Sequence, residues 1–560
     1  MSTAIDDDPR ADLEWGTVPA LVEDGARRHG AHEALVDGDL RLGYARLADA
    51  VDEYARAYVA AGVGAGERVA LWAPNCAEWM LGALGALRAG AVLVPMNTRF
   101  KGAEAAYILR ASGASTLVTV RGFLGVDYPA LLDGEDVGSL ARIVSLRDEG
   151  AVSGASAAGV GIAGLGEFLA GASGTDPALS AARARAVEPE DMSDIIFTSG
   201  TTGHPKGAAT THAQSLRTFG TWAAITGLRR DDRYLIVNPF FHTFGYKAGI
   251  LACLMAGATV VPEPVFDVTA VMDHIARERI TVLPGPPTLY QSLLAAPDRA
   301  AHDLSSLRLG VTGAAVVPVE LVHAMRDELG FSTVLTAYGL TESCGTVTMC
   351  RRDDPAEVIA ATSGRAIPGL EVRAVVDGHP VAVGEPGEIV VRGYTVMAGY
   401  WGDPGATAEA VDAEGWLHTG DVGTLDAAGN VTITDRLKDM FVVGGFNAYP
   451  AEIEAILRQH QEVDQVAVVG VPDQRMGEVG CAYVVPVPGH PARSDAAAAD
   501  ALGASILDWS RRAMANYKVP RAVVIVDVLP VNASGKVLKR TLRDRHAAGE
   551  DRVVTTERSK

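Results

Sequence analysis

The sequence predicts an α/β protein with a large N-terminal domain and a small α+β C-terminal domain. Three observations carry this. Apolar runs of strand length alternate with helical spacing for most of the chain. The pattern changes near Asp435–Asp439, and about 120 residues with their own apolar content follow. At 560 residues the chain exceeds a single core of ordinary size.

Taken in order, Arg68–Trp72 and Ala91–Pro95 read as buried strands, with a helix over Ala77–Arg88 between them. Gly150–Ala186 is rich in Ala and Gly and is expected to be a surface excursion. Within it, Gly159-Val-Gly161-Ile-Ala-Gly164 matches GxGxxG. A dinucleotide fingerprint needs a strand immediately before it, and AVSGASAA is not one, so a flexible segment is expected. Asn430–Thr434 reads as a strand. Beyond the boundary come a strand at Met440–Val443, a turn at Gly444–Gly445 and a helix from about Ala451. Strands at Val466–Val471 and Ala482–Val485 follow, then a loop from Gly489 to Ser505 leading into a helix. Asp544–Lys560 is expected to be a polar tail.

Hydrophobic residues make up 48% and charged residues 21%, the balance of a folded soluble protein. Net charge is -20, which repels phosphate backbones and argues against a nucleic-acid partner. The acidic N-terminus is no secretory signal. Apolar stretches such as Leu251–Pro262 fall short of the roughly 20 residues that span a bilayer. The five cysteines lack CxxC spacing, and a reducing cytoplasm is the expected compartment.

The strongest chemical signal is Thr198-Ser-Gly-Thr-Thr-Gly-His-Pro-Lys-Gly207, directly after the apolar run Ile195–Phe197. A loop of Gly, Ser and Thr offers backbone N–H groups and hydroxyls to phosphate oxygens, and Lys206 adds a cation. It is not a Walker A loop; the bland alternative is a Gly-rich hairpin. Three further strand-like runs end in polar loops, at Asn238–Gly245, Thr312–Ala315 and Thr336–Glu342. In open α/β sheets ligands sit at the carboxyl ends of strands, so these ends suggest one shared site. Taken singly, His242 reads as a core histidine, Tyr338 as core and Glu342 as a helix-start carboxylate.

Together, the loop at Thr198–Gly207, YGLTE at Tyr338–Glu342, Thr419-Gly420-Asp421, Asp435-Arg436-Leu-Lys438-Asp439, Gly444-Gly445 and Asn532-Ala-Ser-Gly-Lys536 resemble the adenylate-forming superfamily. The motifs run in family order from about Asn75 to Lys536. The resemblance implies layered β-sheets and helices over 1–437, and a mobile C-terminal domain over 438–560. It implies an AMP-forming acid–thiol ligase that uses ATP, Mg²⁺ and coenzyme A.

The resemblance also implies roles. Thr198, Ser199, Gly200, Thr201, Thr202, Gly203 and Lys206 hold the β- and γ-phosphates. Tyr338 and Gly339 meet the adenine, with Gly313, Ala314 and Ala315 lining its slot. Thr341 contacts the α-phosphate, and Glu342 holds Mg²⁺. Asp421 accepts from the ribose hydroxyls, reinforced by Arg436. Lys438 is the hinge, Gly444 and Gly445 admit the pantetheine, and Lys536 is the mobile catalytic lysine. His242 gates the thiol tunnel. An acyl pocket is expected around His242, Gly245, Tyr246, Lys247, Gly249, Gly285 and Gly313, the glycines leaving room for the acid. Tyr246 and Lys247 offer a polar contact to the acid, while Lys247 reads equally as an exposed or salt-bridged residue.

Asn238–Pro262, Ile280–Leu294 and Leu335–Glu342 are similar to one branch of this family, which implies a fused-ring propanoate left by steroid degradation as the acid. Fatty or aromatic acids, and stand-alone loading of a carrier protein, are the alternatives.

Overall fold

The computed structural model describes residues 8–147, 156–198, 205–313, 317–436, 439–443, 446–473, 476–514, 516–531 and 537–555. The chain divides into two compact units. The first holds residues 1–372, 390–418 and 428–431. The second holds 373–389, 419–427 and 432–560. Among the described residues no helix is long and apolar enough to cross a membrane.

Two large sheets organise the first unit. One has nine strands. Its centre is parallel: Met192–Thr198, Val92–Pro95, Arg68–Trp72, Thr116–Thr119, Arg142–Ser145 and Val160–Gly164. The central strands Arg68–Trp72 and Val92–Pro95 are apolar and buried nearly throughout, as parallel strands covered on both faces must be. Lys206–Thr211 adds antiparallel to Met192–Thr198, and the two-residue strand Gly399–Tyr400 pairs with it at the edge. In the second sheet Leu309–Gly313 lies parallel to Thr333–Tyr338, and Arg233–Ile236 lies parallel to Thr259–Pro262. Bridges through Val282 join these two pairs.

Helix Ala77–Arg88 is almost wholly buried, which suits its run of Leu, Met, Ala and Gly with a single Glu and Arg. The apolar stretch from Leu251 splits. A helix ends at Gly257, whose φ of 74° is the left-handed conformation glycine adopts freely, and a strand starts at Thr259.

The second unit carries a six-stranded sheet. Phe446–Ala448, Phe441–Val443, Gly477–Pro486, Ala522–Ile525 and Val553–Thr555 lie side by side, and Val463–Asp473 forms a long hairpin with Gly477–Pro486. Helices Pro450–Leu457, Ala496–Ala513 and Lys539–Ala548 complete it.

Three expectations are corrected. The GxGxxG segment is no flexible excursion: Val160–Gly164 is itself a strand, paired with Arg142–Ser145 and with Ser156–Ala157. Gly161 and Gly164 lie within the strand and Gly159 in the turn before it, rather than in a turn leading from a strand into a helix, so it still lacks the dinucleotide geometry. The loop read into Gly489–Ser505 is shorter than expected, because the helix already starts at Ala496, capped by the Asp495 carboxylate. The terminal stretch is no loose tail, since Val553–Thr555 pairs antiparallel with Ala522–Ile525.

Candidate active site

The strand Met192–Thr198 and the strand Lys206–Thr211 form an antiparallel hairpin, with Thr198 directly opposite Lys206. The phosphate-loop motif is the connection of this hairpin. The hairpin reading and the phosphate-loop reading of this segment therefore do not exclude each other. Ser199, Gly200, Thr201, Thr202 and Gly203 lie outside the described residues. Thr198 and Lys206 fix the two ends of the loop.

Glu342 stands beside these ends. The strand Thr333–Tyr338 leads through Gly339 into a single 3₁₀ turn, Thr341–Ser343, and the Leu340 N–H is held by the Ser343 hydroxyl at 2.9 Å. A side chain on Gly339 would meet the Gly345 carbonyl oxygen at 2.3 Å, so only glycine lets the chain double back there. The turn aims Glu342 Oε1 at the Thr198 hydroxyl, 3.4 Å away, and at the Tyr400 hydroxyl, which donates to it at 2.9 Å. Lys206 Nζ lies 5.2 Å from the centre of the Tyr400 ring. Burial and the neighbouring Glu342 raise the Tyr400 pKa, so the phenol stays a donor.

Tyr400 was not found from the sequence. It sits on a two-residue strand, too short to show periodicity. Its place comes from pairing with Ala208 and from the Met397 N–H bonded to the Glu342 carbonyl at 2.8 Å.

Gly313 ends the strand parallel to Thr333–Tyr338 and faces Ala337, so the segments carrying Gly313 and Tyr338 end side by side. Ala314 and Ala315 lie outside the described residues. Tyr338 and Thr341 are partly exposed.

The loop before His242 is pinned by two asparagines. Asn75 Nδ2 donates to the carbonyls of Ile236 and Asn238, each at 2.9 Å, and Asn75 Oδ1 accepts from Phe240 N–H at 2.7 Å. Asn238 Nδ2 donates to the Pro284 carbonyl at 2.9 Å. His242 then caps a short helix, its Nδ1 accepting from Phe244 N–H at 3.3 Å. Its ring reaches solvent, while surrounding protein displaces water and lowers its pKa, which favours the neutral ring. The helix widens into a π turn over Tyr246–Leu251. Tyr246 is wholly buried, 5.9 Å from Trp79 ring to ring, and its hydroxyl has no hydrogen-bond partner among the described residues.

Neighbouring chain packs against the glycines of the expected pocket. A β-carbon on Gly245 would lie 2.1 Å from the Pro239 carbonyl oxygen. On Gly249 it would lie 2.8 Å from Ile236 Cδ1, on Gly285 2.7 Å from Leu289 Cδ1, and on Gly313 2.9 Å from the Ala337 carbonyl oxygen. These glycines admit close approach of neighbouring chain. Of the two readings of Lys247, the ion pair is the one realised. Its ammonium is 1% exposed and lies 2.9 Å from Asp194 Oδ1. Burial alone would lower its pKa, but Asp194 and Cys344 outweigh this and raise it.

Asp421 belongs to the second unit, where it is buried, with its N–H bonded to the Thr419 hydroxyl at 3.1 Å. Lys438, Gly444, Gly445, Lys536 and the side chain of Arg436 lie outside the described residues. Among the described residues no cluster of three or more His, Cys, Asp or Glu is placed to hold a metal.

The AMP-binding enzyme family matches residues 22–401, and its C-terminal domain matches residues 452–536. The chain belongs to the AMP-binding enzyme family. It is 50% identical, over 94% of its length and 98% of the relative, to a 3-[(3aS,4S,7aS)-7a-methyl-1,5-dioxo-octahydro-1H-inden-4-yl]propanoyl:CoA ligase of Rhodococcus jostii. It is 49% identical, over 94% and 98%, to a ligase of the same description in Mycobacterium tuberculosis. Among solved structures it is similar to an anthranilate CoA ligase in complex with anthranoyl-AMP, with a TM-score of 0.82 and 29% identity over 95% of this chain and 98% of that one.

Proposed function

We propose that this chain is an ATP-dependent, AMP-forming acyl-CoA ligase whose acid is a methyl-dioxo-octahydroindene propanoate, the ring skeleton left by steroid breakdown. The adenylation part rests on the meeting of Thr198, Lys206, Tyr400 and Glu342 at one end of the phosphate hairpin. The choice of acid rests on 50% identity across 94% of the chain to a ligase of that description.

In the first half-reaction a carboxylate oxygen of the acid attacks the α-phosphorus of ATP. The bond to the bridging oxygen breaks, and pyrophosphate leaves with the electron pair. Charge accumulates on the α-phosphate oxygens, so fixed donors and cations lower the barrier. In this reading the loop from Thr198 to Lys206 takes the β- and γ-phosphates and Thr341 the α-phosphate. Tyr338, Gly339 and the Gly313–Ala315 segment take the adenine. Asp421 with Arg436 takes the ribose, and Lys536 reaches the transferring phosphate. Glu342 and the Thr198 hydroxyl are hard oxygen donors, the kind that hold Mg²⁺ together with substrate phosphates. When bound there, Mg²⁺ neutralises triphosphate charge. The Tyr400 hydroxyl orients the Glu342 carboxylate.

In the second half-reaction the coenzyme A sulfur attacks the acyl carbon of the adenylate and AMP leaves. The reading divides the chain at Lys438, around which residues 438–560 turn to withdraw Lys536 and present Gly444 and Gly445 to the pantetheine. The neutral ring of His242 stands at the thiol entrance. The buried Tyr246 hydroxyl, unpartnered among the described residues, is the donor offered to a ring ketone. Five buried cysteines, all free thiols, suit the cytoplasmic setting that belongs to this proposal.

The test is coenzyme A-dependent AMP release measured across the ring propanoate, palmitate and benzoate. The ring acid is expected to show the highest kcat/KM. Faster turnover of palmitate would end the steroid reading and leave the general ligase reading standing.

A further inference from the structure

Behind the phosphate hairpin lies a buried polar cluster to which the adenylation chemistry gives no task. Lys247 Nζ lies 2.9 Å from Asp194 Oδ1 and donates to Thr210 Oγ1 at 2.7 Å. The Thr210 hydroxyl donates onward to Asp194 Oδ1 at 2.8 Å, and Ser193 Oγ donates to Asp194 Oδ2 at 2.7 Å. Cys344 Sγ sits 3.6 Å from Lys247 Nζ. The side chains of Asp194 and Lys247 are each 1% exposed, and Thr210 and Cys344 are buried with them.

Each member comes from a segment that also carries a candidate site residue. Asp194 and Ser193 lie on the strand that ends at Thr198, and Thr210 on the strand that begins at Lys206. Lys247 lies in the π turn that follows His242, and Cys344 directly follows the turn bearing Glu342. Apolar residues of equal volume commonly hold such elements together at no loss of stability, whereas a buried ion pair is satisfied in only one register. The ammonium has three protons and finds three partners. A slip of the strand bearing Asp194 or of the π turn bearing Lys247 would leave a buried charge without its partner, and a slip of the segments bearing Thr210 or Cys344 would leave an ammonium proton unpaired.

We propose that Asp194 and Lys247 are positioning residues for adenylation: they set the His242 turn and the Glu342 turn in register against the phosphate hairpin without touching substrate. This rests on the adenylation reading above. A misplacement of about 1 Å at a reacting centre costs on the order of a hundredfold in rate, so loss of the pair should appear mainly in kcat.

The experiment compares ATP–pyrophosphate exchange and thermal unfolding in wild type, Lys247→Met, Asp194→Asn and the double variant. Exchange is measured below the unfolding onset of every variant. Each single variant should unfold at lower temperature than wild type. The double variant, with no unpaired charge, should regain most of that loss while its kcat for exchange stays at least tenfold low and its KM for ATP moves less than threefold. A double variant with wild-type kcat would reduce the pair to packing and overturn the proposal. Should the double variant fail to regain stability, Thr210→Val decides. It keeps both charges and removes only the shared hydroxyl, and it should lower kcat at least threefold; an unchanged kcat would overturn the proposal. Wild type that exchanges with no acid would refute the adenylation reading itself, a result distinct from either.

Discussion

Replacing Tyr400 by phenylalanine isolates one hydrogen bond at the heart of the site. The phenol donates to Glu342 Oε1 at 2.9 Å, while its ring lies 5.2 Å from Lys206 Nζ. Phenylalanine keeps the ring and its contact with the ammonium and removes only the donor. A hydrogen bond to a charged acceptor contributes about 1.5–3 kcal/mol. Both groups are partly exposed, which places the expectation at the lower end, about 1.5 kcal/mol, or roughly tenfold at 1.36 kcal/mol per decade. Tyr400→Phe should therefore lower kcat/KM for ATP–pyrophosphate exchange about tenfold and raise the Mg²⁺ concentration needed for half-maximal rate. Tyr400→Leu also loses the cation–π contact, about 0.5–1 kcal/mol, and should fall a further two- to fivefold. Titrating exchange against ATP at several Mg²⁺ concentrations separates the two effects. If Tyr400→Phe leaves kcat/KM unchanged, the hydroxyl does not orient Glu342 and the geometric argument fails.

Three further outcomes follow from the same structure and assignments. Lys536→Ala should abolish most exchange yet leave thioester formation from a supplied acyl-adenylate nearly intact; equal loss in both half-reactions would refute its assignment to one of them. Gly249→Leu should lower thermal stability and slow ring and short-chain acids alike, because a β-carbon there already meets Ile236 Cδ1 at 2.8 Å; selective loss of the ring acid would return Gly249 to the pocket wall. His212 is 1% exposed, its Nδ1 accepts from Val18 N–H at 3.3 Å, and burial lowers its pKa to about 4. Its folded-state pKa is depressed, so the stability it contributes is present above pH 6.5 and is lost as pH falls toward 4, by roughly 2 kcal/mol at pH 5. Urea unfolding at pH 7 and pH 5 should show this difference in wild type and its absence in His212→Gln; an identical pH response would assign it to another group.

Local pattern carried some elements whole. Arg68–Trp72 and Ala77–Arg88 have in the structure the bounds read from the sequence, because a continuous apolar run and a helical face each declare themselves within a few residues. Of the candidate site, the sequence displays the contiguous motifs, as at Thr198–Gly207 and Tyr338–Glu342. Tyr400 was not legible, because a two-residue strand acquires its position only by pairing with Ala208, far away in the chain. Lys247 stood undecided for the same reason, since its partner Asp194 lies on a different strand. The glycines were legible only in part. A missing side chain is visible in sequence, but what fills its place is not, and beside Gly245 it is the Pro239 carbonyl. Val553–Thr555 did offer a signal, a β-branched triplet, that its polar surroundings obscured.

The π turn at Tyr246–Leu251 stores one residue more than an α-helical turn, since its hydrogen bonds close from i to i+5 rather than i+4. Length there is consequently a coordinate of the catalytic centre. Excising a single residue would let the helix revert to its regular winding while the segments on either side kept nearly their present headings, because the extra residue is taken up inside the turn. His242 would keep nearly its present heading, and the side chains inside the turn, Lys247 among them, would be re-aimed. A gap or insertion at this point, in this chain or a relative, therefore signals a re-aimed Lys247 more directly than a reoriented histidine.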